Sequence, residues 1–433
     1  MDSHLRGNDR QPDNSAISDY FRERLYIDKN RGREVEMTFW LGAAILCAAA
    51  LFWLNRLYDL VQSWRRVPKP TGSSPPPASS DAPLISVVIP AHNEEPAIRD
   101  CINSVLTQDY PRFEVIVVDD RSADATLEIA RTVCEGHDNC KIMRVHELLP
   151  GWTGKCQALH TGVQKAAGDW LAFLDADTRL HPNALSSVYS IAVSRNVSLV
   201  TLTPKFVLTN FWEKALQPIF AATCCILFPL GEVNDEKSPT ALANGMFYMI
   251  RRDAYERIGG HEAVKHLAVE DVGIGKRVKA AGFGILAANG VNLMETKMFD
   301  GFRATLDGWT RILSACLDYR MSAIVKYLLM HVLASFPVYC AALFLYAADA
   351  YRIWPSAWFI LPAFIALLMG VVPFFFLKEM GLPTRYAALL MIGNLFLVWV
   401  HAVMLKRVIF GDALEWRGTH YKWFRYEPRK LDP

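Results

Sequence analysis

The sequence predicts an α/β domain built on a mainly parallel sheet and flanked by helices that cross a membrane. Three observations carry this reading. Between positions 84 and 177, β-branched apolar runs of strand length alternate with stretches of helical spacing. Strands that read as near-continuous apolar runs belong to a sheet covered on both faces. Two of these runs end in acids, Asp119-Asp120 and Asp175-Ala176-Asp177, and the apolar excess of the chain lies near position 40 and after position 325.

Composition sets the outer bounds. At 433 residues the chain exceeds one ordinary domain. Hydrophobic residues make up 52% and mean hydropathy is +0.13, too apolar for a wholly soluble enzyme and too polar for an all-membrane transporter. A net charge of +2 gives no case for a nucleic-acid partner. The nine cysteines form no CxxC pair and no zinc-like spacing, so they are expected unpaired, in a reducing compartment.

Along the chain, residues 1–36 carry charges of both signs with little apolar periodicity, and are expected to form a disordered extension. Residues 37–54 are free of charge and about long enough to cross a bilayer, which takes roughly 20 residues. No small-residue cleavage site follows, which favours an anchor over a signal peptide. Arg56, Arg65, Arg66 and Lys69 follow it and place the next segment on the cytoplasmic side. A Pro/Ser linker occupies 68–83. The α/β domain then runs over 84–320, with strands at 84–91, 113–120, 141–145 and 170–177 and helices at 97–108, 124–134 and 156–167.

The apolar segment 211–231 is broken by Pro218 and Pro229 and reads as too interrupted to span. It is expected either to lie on the membrane or to be buried in the soluble domain. Three stretches within 327–405 (327–348, 354–378 and 385–405) are each long enough to cross, with single polar residues such as His331 and Asn394 facing neighbouring helices. The tail 406–433 is basic. Three crossings would put it outside, whereas its charge favours the inside. The conflict resolves if one stretch is re-entrant or interfacial.

Acids at the carboxyl ends of parallel strands lie where an open α/β sheet places its ligand. Two Asp one residue apart suit a hard divalent cation such as Mg²⁺ or Mn²⁺, which takes oxygen ligands. By itself DxD is a weak motif, because strand-end Asp also caps turns. The setting adds weight: SVVIPAHNEE (86–95), VVDDRSADAT (117–126), GWTGKCQAL (151–159), FLDADT (173–178), ANG (243–245) and VEDVGIGKRV (269–278) occur in this order. That series resembles the family 2 glycosyltransferases of GT-A fold over about 85–320.

The resemblance implies a membrane-bound enzyme that transfers a sugar from a UDP-sugar to an acceptor with inversion. It implies that Pro90, Ala91 and Glu94 line the nucleotide pocket and that Asp119 or Asp120 bonds the base. Lys155 would lie near the diphosphate, Asp175 would contact ribose or metal, and Asp177 would coordinate the metal. Glu270-Asp271 match the family's Glu-Asp pair, with Asp271 the general base. As an acid pair opening a helix they also suit its macrodipole. The Gln-x-x-Arg-Trp of many membrane members is missing; Trp309 and Arg311 stand in its region as acceptor wall and phosphate clamp.

PAHNEE, GWTGK, the Asp-Gly-Trp stretch and EWRGTHY (415–421) are similar to a lipid-acting subgroup, above all the bacterial hopanoid-associated glycosyltransferases. The expected acceptor is therefore a lipid at the inner membrane, with the catalytic domain cytoplasmic. A polyprenyl phosphate or glycan acceptor is the alternative, and a non-catalytic membrane scaffold the alternative of another class.

Overall fold

The structure, a computed structural model, describes residues 14–70, 82–335, 339–344, 346–347, 357–410, 414–416 and 419–421. The chain divides into two compact units. One comprises residues up to Trp53 together with Phe336–Leu368; the other comprises Leu54–Ser335 and Met369 onward.

The first unit holds most of helix α1 (Asn14–Arg65) and the start of a later helix. Helix begins at Asn14, well inside the segment expected to be disordered. Gly32 is the only Gly or Pro between Asn14 and Glu36, so nothing breaks propagation from the apolar part, and Arg, Glu and Leu favour it. Residues 1–13 lie outside the described residues. Phe39 stacks on Tyr346 at 5.4 Å, and the Trp53 indole donates to the Tyr339 hydroxyl at 2.8 Å.

The second unit is built on a seven-stranded sheet ordered β3-β2-β1-β4-β8-β6-β9. Its strands are β1 (Ile85–Ala91), β2 (Phe113–Asp120), β3 (Cys140–Val145), β4 (Trp170–Leu174), β6 (Leu199–Thr203), β8 (Phe247–Arg251) and β9 (Ile285–Asn289). All neighbours pair in parallel except β8, antiparallel to β4 and β6. A smaller sheet, β5 (Thr178–Leu180), β10 (Met294–Thr296) and β7 (Lys205–Phe206), sits just past the DAD triplet.

Side-chain alternation divides the core into two layers. Val87, Ile89, Val115, Val117 and Leu174 face α2 (Ile98–Leu106), α3 (Thr126–Cys134) and α5 (Ala184–Ser194). Val88, Ile116, Val118 and Phe173 face α4 (Gly154–Val163), α8 (Arg252–Arg257) and α9 (Glu270–Ala280). The expected fold class holds: a mixed, mainly parallel sheet covered on both faces. The cysteines differ from expectation at one place, where Cys134 at the end of α3 and Cys140 at the start of β3 form a disulfide.

Further helices are α6 (Phe211–Leu227), α7 (Leu230–Val233), α10 (Gly301–Cys316), α11 (Met321–Leu333), α12 (Ile360–Glu379) and α13 (Ala387–Phe410). A capping box starts α6: Asn210 Oδ1 accepts the Glu213 N–H at 3.0 Å and Glu213 returns a carboxylate oxygen to the Asn210 N–H. The same Glu213 accepts the Gly301 N–H at 3.1 Å, tying the start of α6 to the start of α10. Leu216, Phe220, Leu306, Trp309, Leu313, Leu397, Val400 and Met404 form one apolar cluster among α6, α10 and α13. As expected, His331 and Asn394 face each other between α11 and α13: His331 Nδ1 lies 2.9 Å from Asn394 Oδ1, and the amide donates back to the His331 carbonyl.

Among the described residues four helical stretches are long and apolar enough to cross a membrane: Phe39–Arg65, Phe211–Val233, Ile360–Glu379 and Thr384–Phe410. One of them departs from expectation. Phe211–Val233 qualifies despite its prolines, although half of its apolar window is buried inside the protein. Within the stretch expected at 327–348, α11 ends at Leu333 after 13 residues. The central part of the 68–83 linker and most of the basic tail lie outside the described residues; Leu414–Trp416 and Thr419–Tyr421 pair as two antiparallel strands, β11 and β12.

Candidate active site

The loops at the carboxyl ends of β1, β2 and β4 converge on one cavity of about 720 Å³. Those after β1 and β2 are cross-linked: the Asn93 N–H donates to Ser122 Oγ at 3.0 Å, and Asn93 Oδ1 accepts the Ala123 N–H at 2.8 Å. Asn93 and Arg121 both have left-handed backbone (φ 56° and 58°), a strained conformation for non-glycine residues that concentrates at functional sites. Pro90, Ala91, His92 and Glu94 line the cavity from the first loop, Asp120 and Arg121 from the second.

Asp119 and Asp120 are separated by the pleat. Asp120 faces the cavity, where Arg121 Nε pairs with it at 2.8 Å. Asp119 does not line the cavity; it is buried and meets Arg144 of β3 at 3.1 Å. Successive strand residues point to opposite faces, so only one of the pair can reach a given ligand. Of the two expected residues, Asp120 lines the cavity, whereas Asp119 lies outside it in an ion pair with Arg144.

The acids after β4 and those opening α9 meet across a lysine. Lys155 Nζ lies 2.7 Å from Asp175 Oδ1 and 2.9 Å from Glu270 Oε1. Lysine in the first turn of a helix sits at the positive end of the macrodipole, an unfavourable place. Burial also opposes its charge, yet Asp175, Glu270 and Asp271 outweigh this and hold the ammonium protonated well above its ordinary range. Lys155 is thus the joint between two acidic groups rather than an exposed turn residue.

Asp271 Oδ2 accepts the Gly245 N–H at 2.6 Å and Oδ1 accepts the Val272 N–H at 2.8 Å. A Cβ at residue 245 would come within 2.8 Å of that carboxylate and 3.0 Å of Lys155 Nζ, so only glycine admits this approach. Burial, followed by the adjacent Glu270 carboxylate, pushes Asp271 up to about 7 against Lys155 and these two hydrogen bonds. Asp177 is likewise raised to about 7, by burial and then by Asp175 and Glu94. Asp271 is thereby poised to take a proton near neutrality.

Helix α10 turns Ala304, Asp307, Gly308, Arg311 and Ile312 toward the cavity at i, i+3 and i+4 spacing. Trp309 lines it as well, stacked on Phe220 at 5.4 Å with planes 7° apart; its indole N–H is buried with no hydrogen-bond partner among the described residues. Helix α6 contributes Ala221, Cys224, Cys225 and Phe228, and the C-terminal helices contribute Met380 and Arg407. The cavity therefore has an acidic part and an apolar part. Every expected site residue except Asp119 lines it: Pro90, Ala91, Glu94, Asp120, Lys155, Asp175, Asp177, Glu270, Asp271, Trp309 and Arg311.

Sequence reasoning missed His92, Arg121, the α6 residues and Arg407. Arg121 and His92 adjoin quoted motifs and were within reach; nothing local signals that position 407 returns to the site.

The family described as Glycosyl transferase family 2 matches residues 86–259. Glycosyltransferase AglE of Haloferax volcanii is 32% identical over 216 residues, covering 49% of this chain and 67% of that protein. The chain belongs to glycosyl transferase family 2. This glycosyltransferase is also 26% identical over 234 residues to the 4,4'-diaponeurosporenoate glycosyltransferase of Staphylococcus aureus, covering 53% of this chain and 60% of that relative. Among solved structures, the mannosyltransferase PcManGT of Pyrobaculum calidifontis, in complex with GDP-Man and Mn²⁺, covers 84% of the glycosyltransferase and 98% of its own chain at 19% identity and a TM-score of 0.48.

Proposed function

We propose that this glycosyltransferase moves a sugar from a UDP-sugar to a lipid hydroxyl at the membrane, with inversion. The observation that carries the reading is the single cavity in which Asp175-Ala176-Asp177 and Glu270-Asp271 are joined through Lys155 and which continues into an apolar wall of α6 and α10. The nucleotide would lie along Pro90, Ala91, Glu94 and Asp120. Asp271 would take the proton of the acceptor hydroxyl as its oxygen attacks the anomeric carbon, while the bond to the diphosphate breaks on the opposite face. Glu270 and Lys155 position that base, and Trp309 walls the acceptor.

A divalent ion fits these residues. Seven carboxylates line the cavity against four cationic side chains, an excess that would repel a diphosphate unless a cation offsets it. Among the described residues no three His, Cys, Asp or Glu side chains form a complete ligand set. Magnesium-type ions need none, since they are commonly held by one or two carboxylates plus substrate phosphates. Asp177, with Asp175, would hold the ion, which would supply charge neutralisation to the diphosphate.

The acceptor reading draws support from the apolar wall and from the relative named for 4,4'-diaponeurosporenoate. A hopanoid-like isoprenoid is the acceptor class we favour. The basic residues after the first apolar segment, Arg56, Arg65, Arg66 and Lys69, favour a multi-pass protein of the inner membrane with its catalytic unit on the cytoplasmic side.

The test uses purified full-length protein with Mn²⁺, radiolabelled UDP-sugars and a bacterial lipid extract. Label should move into the organic phase and stop on chelation. Asp177→Ala should weaken UDP binding only when metal is present. UDP affinity identical with and without Mn²⁺ in the unaltered enzyme would remove the metal from the reading, and absence of transfer from every UDP-sugar would remove the donor.

A further inference from the structure

We propose that Arg407, in the last turn of α13, binds the diphosphate of the donor and stabilises it as it leaves. The proposal rests on the donor reading above and adds to it a residue far outside the family match, which ends at residue 259.

The argument is one of charge within the cavity. Four cationic side chains line it: Arg121, Lys155, Arg311 and Arg407. Two are committed elsewhere, Arg121 to Asp120 at 2.8 Å and Lys155 to both Asp175 and Glu270. Arg311 lies on α10 beside the acceptor wall, its Nε buried. Arg407 is half-buried and makes no ion pair or hydrogen bond with any described residue. A guanidinium that lines a cavity without a counter-charge among the described residues suits an anion.

Its support is rigid. His401 and Met404, within two turns before it on α13, are fully buried, so the helix end is fixed by packing, whereas Lys406 beside it is exposed to the outside. The anion that the proposed reaction supplies is the diphosphate. When the bond from the anomeric carbon to the diphosphate oxygen breaks, the electron pair passes to that oxygen and the leaving group gains negative charge. A fixed guanidinium contributes most at that moment. Arg407 thus makes the last helix part of the donor site.

The experiment measures UDP and uridine affinity by calorimetry, and steady-state transfer, on the full-length enzyme in detergent with Mn²⁺. Arg407→Gln should weaken UDP binding about tenfold to a hundredfold, as expected for loss of a charge-assisted contact, and lower kcat as well as raise the donor KM. Uridine, which lacks phosphates, should bind as before, and Lys406→Gln should leave all values unchanged. Unaltered UDP affinity in Arg407→Gln, or a rise confined to the acceptor KM, overturns the proposal. Should Arg407→Gln lose uridine binding too, Arg407→Lys decides: recovery of UDP affinity supports the assignment, and no recovery overturns it. If the unaltered enzyme binds no UDP, the donor reading fails instead.

Discussion

Asp271 carries the sharpest prediction at the level of single residues. It accepts two backbone N–H groups, which favour its ionised form, yet burial and Glu270 prevail and raise it to about 7. A base must be ionised to work, so kcat/KM for transfer should climb as pH rises through about 7 and level off above it. Asp271→Asn keeps the shape but cannot take a proton; transfer should fall by about 10²–10⁴-fold, with UDP affinity by calorimetry nearly unchanged. Transfer at the original rate would remove Asp271 as base. Lys155 lowers the affinity of Asp271 for its proton, so Lys155→Met should displace the rising limb to higher pH. A limb that stays in place would show that the ammonium is not coupled to the base.

Packing between helices decides the next scale, and it was the part least legible in the sequence. Strands β1, β2 and β4 could be read because each is a short apolar run ending in acid, and the helices between them because one face repeats. The contents of α6 gave two readings at once, since an apolar segment with prolines suits a membrane surface and a protein interior equally. The structure gives it both kinds of surface: Phe211 and Trp212 are exposed, while Leu216 and Phe220 are buried against α10 and α13. Asp119 was ambiguous for a different reason, because two adjacent acids at a strand end differ only in which face the pleat assigns them. The α6–α13 contact turns on Gly393, where an added Cβ would meet the Ala215 carbonyl oxygen at 2.2 Å and Ile219 at 2.6 Å. Small residues permit such backbone approach between apolar helices. Gly393→Ala should therefore cost about 1–3 kcal/mol by overpacking, seen as a lower unfolding temperature of the detergent-solubilised enzyme. An unfolding temperature equal to that of the unaltered protein would mean that the two helices are not held as closely as described.

For the whole molecule, the consequence is that the α/β domain does not end where its last strand does. The match to the family stops at residue 259 and the last strand of the smaller sheet at Thr296, but the cavity takes Met380 and Arg407 from beyond both. Helix α13 also covers Leu216, Phe220, Leu306 and Leu313, each worth about 1.5–3 kcal/mol when withdrawn from water. A fragment of residues 54–320 would keep every acid of the site and lose both that cover and the guanidinium. It should elute from size exclusion as aggregate without detergent, and bind UDP weakly with it. Removal of residues 1–53 touches none of the cavity residues, so that shortened enzyme, in detergent with Mn²⁺, should keep the UDP affinity of the full chain. A 54–320 fragment that is monodisperse without detergent and binds UDP at full strength would show that the C-terminal helices serve only to hold the enzyme at the membrane. Weakened UDP binding after loss of residues 1–53 would instead assign the first unit a part in the donor site.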